Sequence, residues 1–108
     1  MKKLWPFAGL LMACAAAPLP REQLTEPGAL MFNGYVRADV DCYRCHGGDG
    51  TTGRAPNLSR AVPRMSDQAV ADIIRNGEDQ MPAFGNKLSA DDLEQLVAWL
   101  RGKFPAKQ

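Results

Sequence analysis

Hydrophobic positions fall at helical spacing over most of the chain, and no stretch shows the strict alternation of a half-buried strand. Leu30, Met31, Gly34 and Tyr35 recur at helical intervals, and Pro27 just before them suits a first helical position, where its missing N–H costs nothing. Val70, Ile73 and Ile74 make a second apolar stripe, opened by Ser66 as N-cap and stopped at Gly77. Leu93, Leu96, Val97 and Leu100 make a third. Ser89 caps it, Asp92 three positions on approximates a capping box, Leu88 is placed to staple to Leu93, and Gly102 is expected to end the helix. The pattern predicts an all-α domain. Between these stripes, Gly47-Gly48-Asp49-Gly50-Thr51-Thr52-Gly53 reads as a turn-rich loop. It lacks the Lys-Ser/Thr pair and the preceding strand of a phosphate-binding loop.

The N-terminal end follows a different pattern. Lys2 and Lys3 precede an apolar run from Leu4 to Ala13 that Pro6 interrupts. A bilayer-spanning helix needs roughly 20 apolar residues, so residues 1–13 read as an export signal instead. Leu11-Met12-Ala13-Cys14 resembles a bacterial lipobox, in which Cys14 is lipidated and becomes the mature N-terminus. Ordinary cleavage after a small-residue triplet such as Ala13-Cys14-Ala15 is the alternative. Ala15 is not Asp, which by analogy with Gram-negative lipoproteins favours the outer membrane over the inner one. Residues 14–25, with Pro18 and Pro20 and no helical or strand period, read as an extended tether. Residues 26–105 form the domain and 106–108 a tail.

The chemistry concentrates in Cys42-Tyr43-Arg44-Cys45-His46. A C-x-x-C-H run is an attachment site for c-type haem. Two thiols three positions apart straddle one porphyrin edge and add to its vinyl groups, and the imidazole that follows supplies the proximal iron ligand. His46 is the single histidine of the 108 residues, so no other imidazole competes. A thioredoxin-like pair would need a βαβ context, and a zinc site would need further Cys or His ligands downstream. Neither is found. The chain has 3 cysteines, two for haem and Cys14 for lipid, which leaves none for a disulfide.

Loss of Lys2 and Lys3 with the signal turns 13 basic against 12 acidic residues into a slight acidic excess. This excludes a polybasic nucleic-acid binder. A domain of this size buries a modest core, and a covalent haem would serve as its staple. Met81 lies between the Gly77 stop and the Ser89 cap, beside Pro82, in a loop that can cross the distal haem face. Met81 is therefore the candidate sixth ligand, with a core gap-filler as the alternative. Met65, just before the Ser66 cap, is assigned to packing against Val70.

From about Glu26 to Phe104 the chain resembles small class I cytochromes c. The resemblance rests on Cys42-Tyr43-Arg44-Cys45-His46-Gly47, Ala55-Pro56-Asn57-Leu58, Asn76-Gly77, Met81-Pro82-Ala83-Phe84-Gly85 and a last helix bearing Trp99. It implies three to four helices wrapped around one haem c, with Cys42 and Cys45 as thioether attachments and His46 and Met81 as axial ligands. It also implies that the Pro56 carbonyl accepts the His46 Nδ1 proton. Gly28 and Phe32 would cross Trp99 or Leu96 where the first and last helices meet. The family often has an aromatic residue about four positions before the first Cys, where this chain has Ala38. A longer link between first helix and haem motif is expected.

The implied function is electron transfer between redox protein partners through an exposed haem edge, from a lipid-anchored, exported position. No enzymatic activity, small-molecule substrate or nucleic-acid partner is implied. The alternatives are a fixed cytochrome subunit of a larger redox complex and a haem-based sensor or peroxidase.

Overall fold

The computed structural model describes residues 16–107. The export signal and Cys14 lie outside the described residues. Among these residues five helices follow in order: α1 Pro27–Phe32, α2 Tyr43–His46, α3 Leu58–Ala61, α4 Asp67–Asn76 and α5 Ala90–Lys103. Two 3-10 turns, Arg21–Gln23 and Val62–Arg64, also lie among the described residues. Among the described residues there is no strand, only an isolated antiparallel bridge between Glu78 and Met81. The all-α fold holds, with α1, α4 and α5 forming the frame and two single-turn helices carrying the site.

The capping chemistry expected of α4 and α5 is present. Ser66 Oγ accepts from Ala69 N at 3.1 Å. Ser89 Oγ accepts from Asp92 N, and Asp92 Oδ2 accepts from Ser89 N, a closed capping box worth about 1 kcal/mol. Pro27 stands at the start of α1.

Two boundaries differ from the sequence expectation. Helix α1 ends at Phe32, so Gly34 and Tyr35 lie beyond it. Gly34 adopts φ +80°, and the Gly34 N–H and Tyr35 N–H donate to the Met31 and Leu30 carbonyls. That is a Schellman closure, which consumes the orphan carbonyls that a longer helix would have used. Helix α5 runs through Gly102 to Lys103. Gly102 faces open space, and the buried Phe104 just beyond gives the chain a reason to continue inward before it turns.

Helices α1 and α5 pack most extensively, and α4 packs on α5. The α1–α5 crossing is close because Gly28 has no side chain. A Cβ there would stand 2.4 Å from Trp99 Cβ and 2.6 Å from the Gln95 carbonyl. One turn on, Phe32 meets Trp99 with ring centroids 5.1 Å apart. The pairing implied by the resemblance is therefore the one observed. The core runs from Phe32 and Val40 through Val70 and Ile74 to Leu96 and Leu100. Leu96 and Val40 are fully buried, and burying such a side chain contributes about 2 kcal/mol.

The N-terminal segment adds a feature that its composition does not announce. Leu19 is seated on the domain: its N–H donates to Asn33 Oδ1 at 2.9 Å, and its carbonyl accepts from Tyr35 Oη at 2.8 Å. At the other end, the Lys107 N–H donates to the Pro63 carbonyl at 2.9 Å, which seats part of the tail.

Candidate haem-attachment site

Cys42, Cys45 and His46 lie on and beside the single turn α2. The buried Val40 anchors the link that leads into it. After His46, Gly47 takes φ +82° and reverses the chain. The following loop folds back over the motif. Thr52 and Gly53 N–H groups both donate to the His46 carbonyl, and Ala55 N–H donates to the Cys45 carbonyl at 2.9 Å. Only glycine fits at position 53, where a Cβ would stand 2.0 Å from the Cys45 carbonyl oxygen.

Asp49 organises the loop. Its Oδ1 accepts from the Thr51 N–H and from the Thr51 and Thr52 hydroxyls. The Thr51 amide, helped by those hydroxyls, holds the Asp49 carboxyl below its ordinary range despite some opposing desolvation.

The loop delivers Pro56, whose carbonyl lies 3.1 Å from His46 Nδ1. A carbonyl only accepts, so Nδ1 carries the proton and Nε2 presents its lone pair. Burial lowers the His46 pKa, with the Pro56 bond pulling the other way, a direction that favours the neutral imidazole. A neutral ring of fixed tautomer is what a metal ligand requires.

The two thiols are free of one another. Cys45 is exposed, and Cys42 is half-buried against the apolar core. Burial pushes the Cys42 thiol up to about 12, with Asp41 and Cys45 adding smaller upward effects against a backbone hydrogen bond. A dithiol oxidoreductase needs the opposite, a depressed thiol. Among the described residues no group of three or more His, Cys, Asp and Glu side chains is placed to hold a metal ion. The donor set thus fits a covalent haem: two unpaired thiols flanking a turn, a neutral imidazole with Nε2 free, and apolar surface beside them.

Met81 is half-buried and borders the same apolar cluster as Cys42. Its loop is restrained. Glu78 and Met81 exchange two backbone hydrogen bonds, at 3.1 and 2.9 Å. Phe84 and Gly85 N–H groups donate to the Ile74 and Arg75 carbonyls of α4. Asp79 makes the tight reversal possible at φ +54°, a conformation Asp tolerates better than most residues. Met65, also half-buried, borders the core ahead of α4, and its carbonyl is caught by the Arg101 guanidinium.

Two structural residues went unforeseen. Asn33 is the one buried polar side chain among the described residues, at 1% exposure, and it joins α1, Leu19 and the motif loop. Its position after the α1 stripe marks it as a helix end, but nothing marks it as buried. Arg101 donates to Asp67 Oδ1 at 2.8 Å and to the Val62, Met65 and Phe104 carbonyls. It ties residues 62–67 to the end of α5, and of its four partners Val62, Met65 and Asp67 lie over 30 positions away in sequence.

A five-helix domain with a covalent-haem motif defines a c-type cytochrome. Residues 31–100 match the family described as Cytochrome C oxidase, cbb3-type, subunit III, and the chain belongs to that family. It is similar to cytochrome c-553I of Paracoccus denitrificans, 33% identical over 98 residues, covering 79% of this chain and 43% of the relative. It is also similar to cytochrome c6 of Aphanizomenon flos-aquae, 30% identical over 81 residues, covering 70% of this chain and 86% of the relative. The chain thus spans under half of the first relative and most of the second. It is a c-type cytochrome, and one haem c fits its Cys42–His46 motif.

Proposed function

We propose that this cytochrome is a lipid-anchored electron carrier on the exported side of a bacterial membrane, passing single electrons between respiratory or dehydrogenase partners. Cys42 and Cys45 hold the haem, His46 and Met81 are the axial ligands, Pro56 fixes the proximal ring, and Cys14 carries the lipid. The haem supplies a one-electron iron couple. The protein's part is to hold His46 neutral, keep Met81 in a restrained loop, and leave no position for a substrate. His/Met ligation favours the reduced iron and raises the potential. A tether confines the search for partners to the membrane surface.

The observation that carries this reading is the pairing of the His46 Nδ1–Pro56 bond with a Met81 loop bonded to itself and to α4. Visible spectra of the oxidised and reduced holoprotein, with and without carbon monoxide, test it. The wild type is expected to show a sulfur-to-iron charge-transfer band when oxidised and no carbon monoxide binding when reduced. Met81→Ala should abolish the band, lower the potential and admit carbon monoxide, while Met65→Leu should change none of these. The reverse result exchanges the two methionines, and ready carbon monoxide binding by the wild type favours a sensor or peroxidase.

The family's description as an oxidase subunit supports a second reading, a fixed subunit of a larger redox complex. Copurification with stoichiometric partner chains after mild detergent extraction would favour it.

A further inference from the structure

The chain from 16 to 24 is more than a leash. Leu19 is bonded at both its amide and its carbonyl, and it packs so closely on the motif loop that a Cβ on Gly48 would stand 2.6 Å from Leu19 N and 2.8 Å from its side chain. Prolines flank it at 18 and 20, and Pro20 has φ −59° and ψ 134°, a stiff polyproline-like conformation. The group that holds the Leu19 carbonyl is the hydroxyl of Tyr35. Tyr35 and its neighbour Val36 are the large hydrophobic residues left exposed among the described residues, at 38% and 53%. The adjacent cation, Arg37, is paired with Asp39. Tyr35 and Val36 therefore form a small apolar edge, flanked by a net-neutral ion pair, where the N-terminal chain leaves the domain.

We propose that the seated Leu19 segment is a mount that turns the Tyr35–Val36 edge toward the lipid surface. The inference rests on Cys14 carrying the lipid. From Cys14 to Leu19 is a short span: five residues reach at most ~18 Å when fully extended. With Leu19 fixed to the domain, the acyl-bearing end stays within that reach of Leu19, whose carbonyl Tyr35 holds. A tyrosine with an apolar ring and a polar tip suits the headgroup boundary. The occupant is a bilayer surface, chosen over a protein partner because the anchor brings that surface to this edge. Asn33 bonds both Leu19 and the Gly48 carbonyl, so the mount is also fixed to the loop that follows the haem motif.

The test uses the full mature holoprotein, reduced, in nanodiscs of phosphatidylethanolamine and phosphatidylglycerol doped with a gadolinium-chelating lipid. Relaxation enhancement of backbone amides is expected to peak at residues 17–22 and 34–38, several-fold above the domain average. Leu19 amide hydrogen exchange should be slow. Val36→Glu, at an exposed position outside the core, should flatten the relaxation pattern while leaving the visible spectrum unchanged. An even pattern in the wild type, a peak on another face, or rapid exchange at Leu19 overturns the proposal. Mass spectrometry of the mature N-terminus separates the two readings. An unlipidated chain overturns the anchor and the mount together, whereas a lipidated chain with an even pattern overturns the mount alone.

Discussion

Replacing Asn33 with Ala tests whether one buried amide holds three parts of the chain together. In the wild type, Oδ1 accepts from Leu19 N at 2.9 Å, while Nδ2 donates to the Ala29 carbonyl at 2.9 Å and to the Gly48 carbonyl at 3.3 Å. The Ala29 carbonyl keeps a second donor, the backbone N–H of residue 33. Two groups are therefore orphaned, the Leu19 N–H and the Gly48 carbonyl. Leaving a buried donor or acceptor unpaired costs roughly 1–3 kcal/mol each. The 3.3 Å bond lies at the weak end, and the part-buried Leu19 amide recovers some hydration, so the net loss should be about 2–3 kcal/mol. Urea denaturation of the holoprotein, followed by far-ultraviolet helix signal, should then show its midpoint fall by about 1–2 M at ordinary denaturant slopes. Asn33→Asp adds a sign test. It keeps the acceptor for Leu19 but aims a second oxygen at two carbonyls, so burial raises the carboxyl's pKa. The neutral form then fits better than the charged one, and stability falls as pH rises through that raised value. Asn33→Asp should be worse at neutral pH than near the ordinary Asp pKa of ~4. A midpoint shift below ~0.3 M for the alanine variant, under ~1 kcal/mol, would refute the reasoning.

Two glycines near the α1–α5 crossing should respond with opposite sign. Gly28→Ala forces a Cβ to within 2.4 Å of Trp99 and should cost about 1–3 kcal/mol in thermal or urea unfolding. Gly102→Ala, with nothing within 4 Å, should gain up to about 1 kcal/mol from helix propensity. The depressed Asp49 pKa makes its contribution to stability present above the unfolded carboxyl pKa and lost as pH falls through the folded value. Asp49→Asn should accordingly flatten the acid limb of the stability profile measured by urea titration. Among the described residues Arg54, Arg60 and Arg64 form no ion pair, whereas Arg44 and Arg75 pair with Asp41 and Asp72. Partner electron-transfer rates should fall with rising salt, and more weakly so in an Arg60→Ala/Arg64→Ala double variant, because screening removes long-range steering.

What the sequence disclosed follows from the range of the interactions involved. Ser66, Ser89 and Asp92 act within one helical turn, so their roles could be read directly. Gly28 and its crossing partner came from the resemblance, since nothing local to a lone glycine announces a close approach to a helix about 70 positions away. The end of α1 was misjudged because the apolar spacing continues through Tyr35 while the backbone has already closed at Asn33 and Gly34. Tyr35 fits the helical stripe, yet its hydroxyl serves Leu19, 16 positions earlier. Asn33 and Arg101 escaped for the same reason. Each satisfies carbonyls and amides that only folding brings together, and a lone Asn or Arg has no local signature of that task. At the site, the C-x-x-C-H spacing is local and was decisive. The Pro56 bond spans ten positions and came from resemblance alone.

The Met81 loop shows how the fold bears on the proposed closed iron site. A thioether is a weak ligand, so its retention depends on the cost of moving the segment that carries it. Here that segment is bonded twice to itself between Glu78 and Met81 and twice to the end of α4 through Phe84 and Gly85. Gly77 leaves no slack, since a Cβ at that position would stand 2.7 Å from the Met81 carbonyl. Swinging the Met81 backbone away therefore breaks several backbone bonds at once. Asp79 works against this. A non-glycine residue at φ +54° carries strain of about 1 kcal/mol. That strain is released if the loop opens, so position 79 tunes the balance between a closed carrier and a site that admits small ligands. Removing the strain with Asp79→Gly relieves the backbone but also frees the unfolded chain, so the two effects partly cancel in global stability. Carbon monoxide binding kinetics of the reduced protein report the local opening directly. Under the proposed ligation, Phe84→Ala should raise the binding rate far more than Asp79→Gly changes it, because Phe84 is buried at 5% exposure and anchors the loop to the core. Equal effects of the two substitutions would mean that the loop's own turn, rather than its seat on the core, controls access.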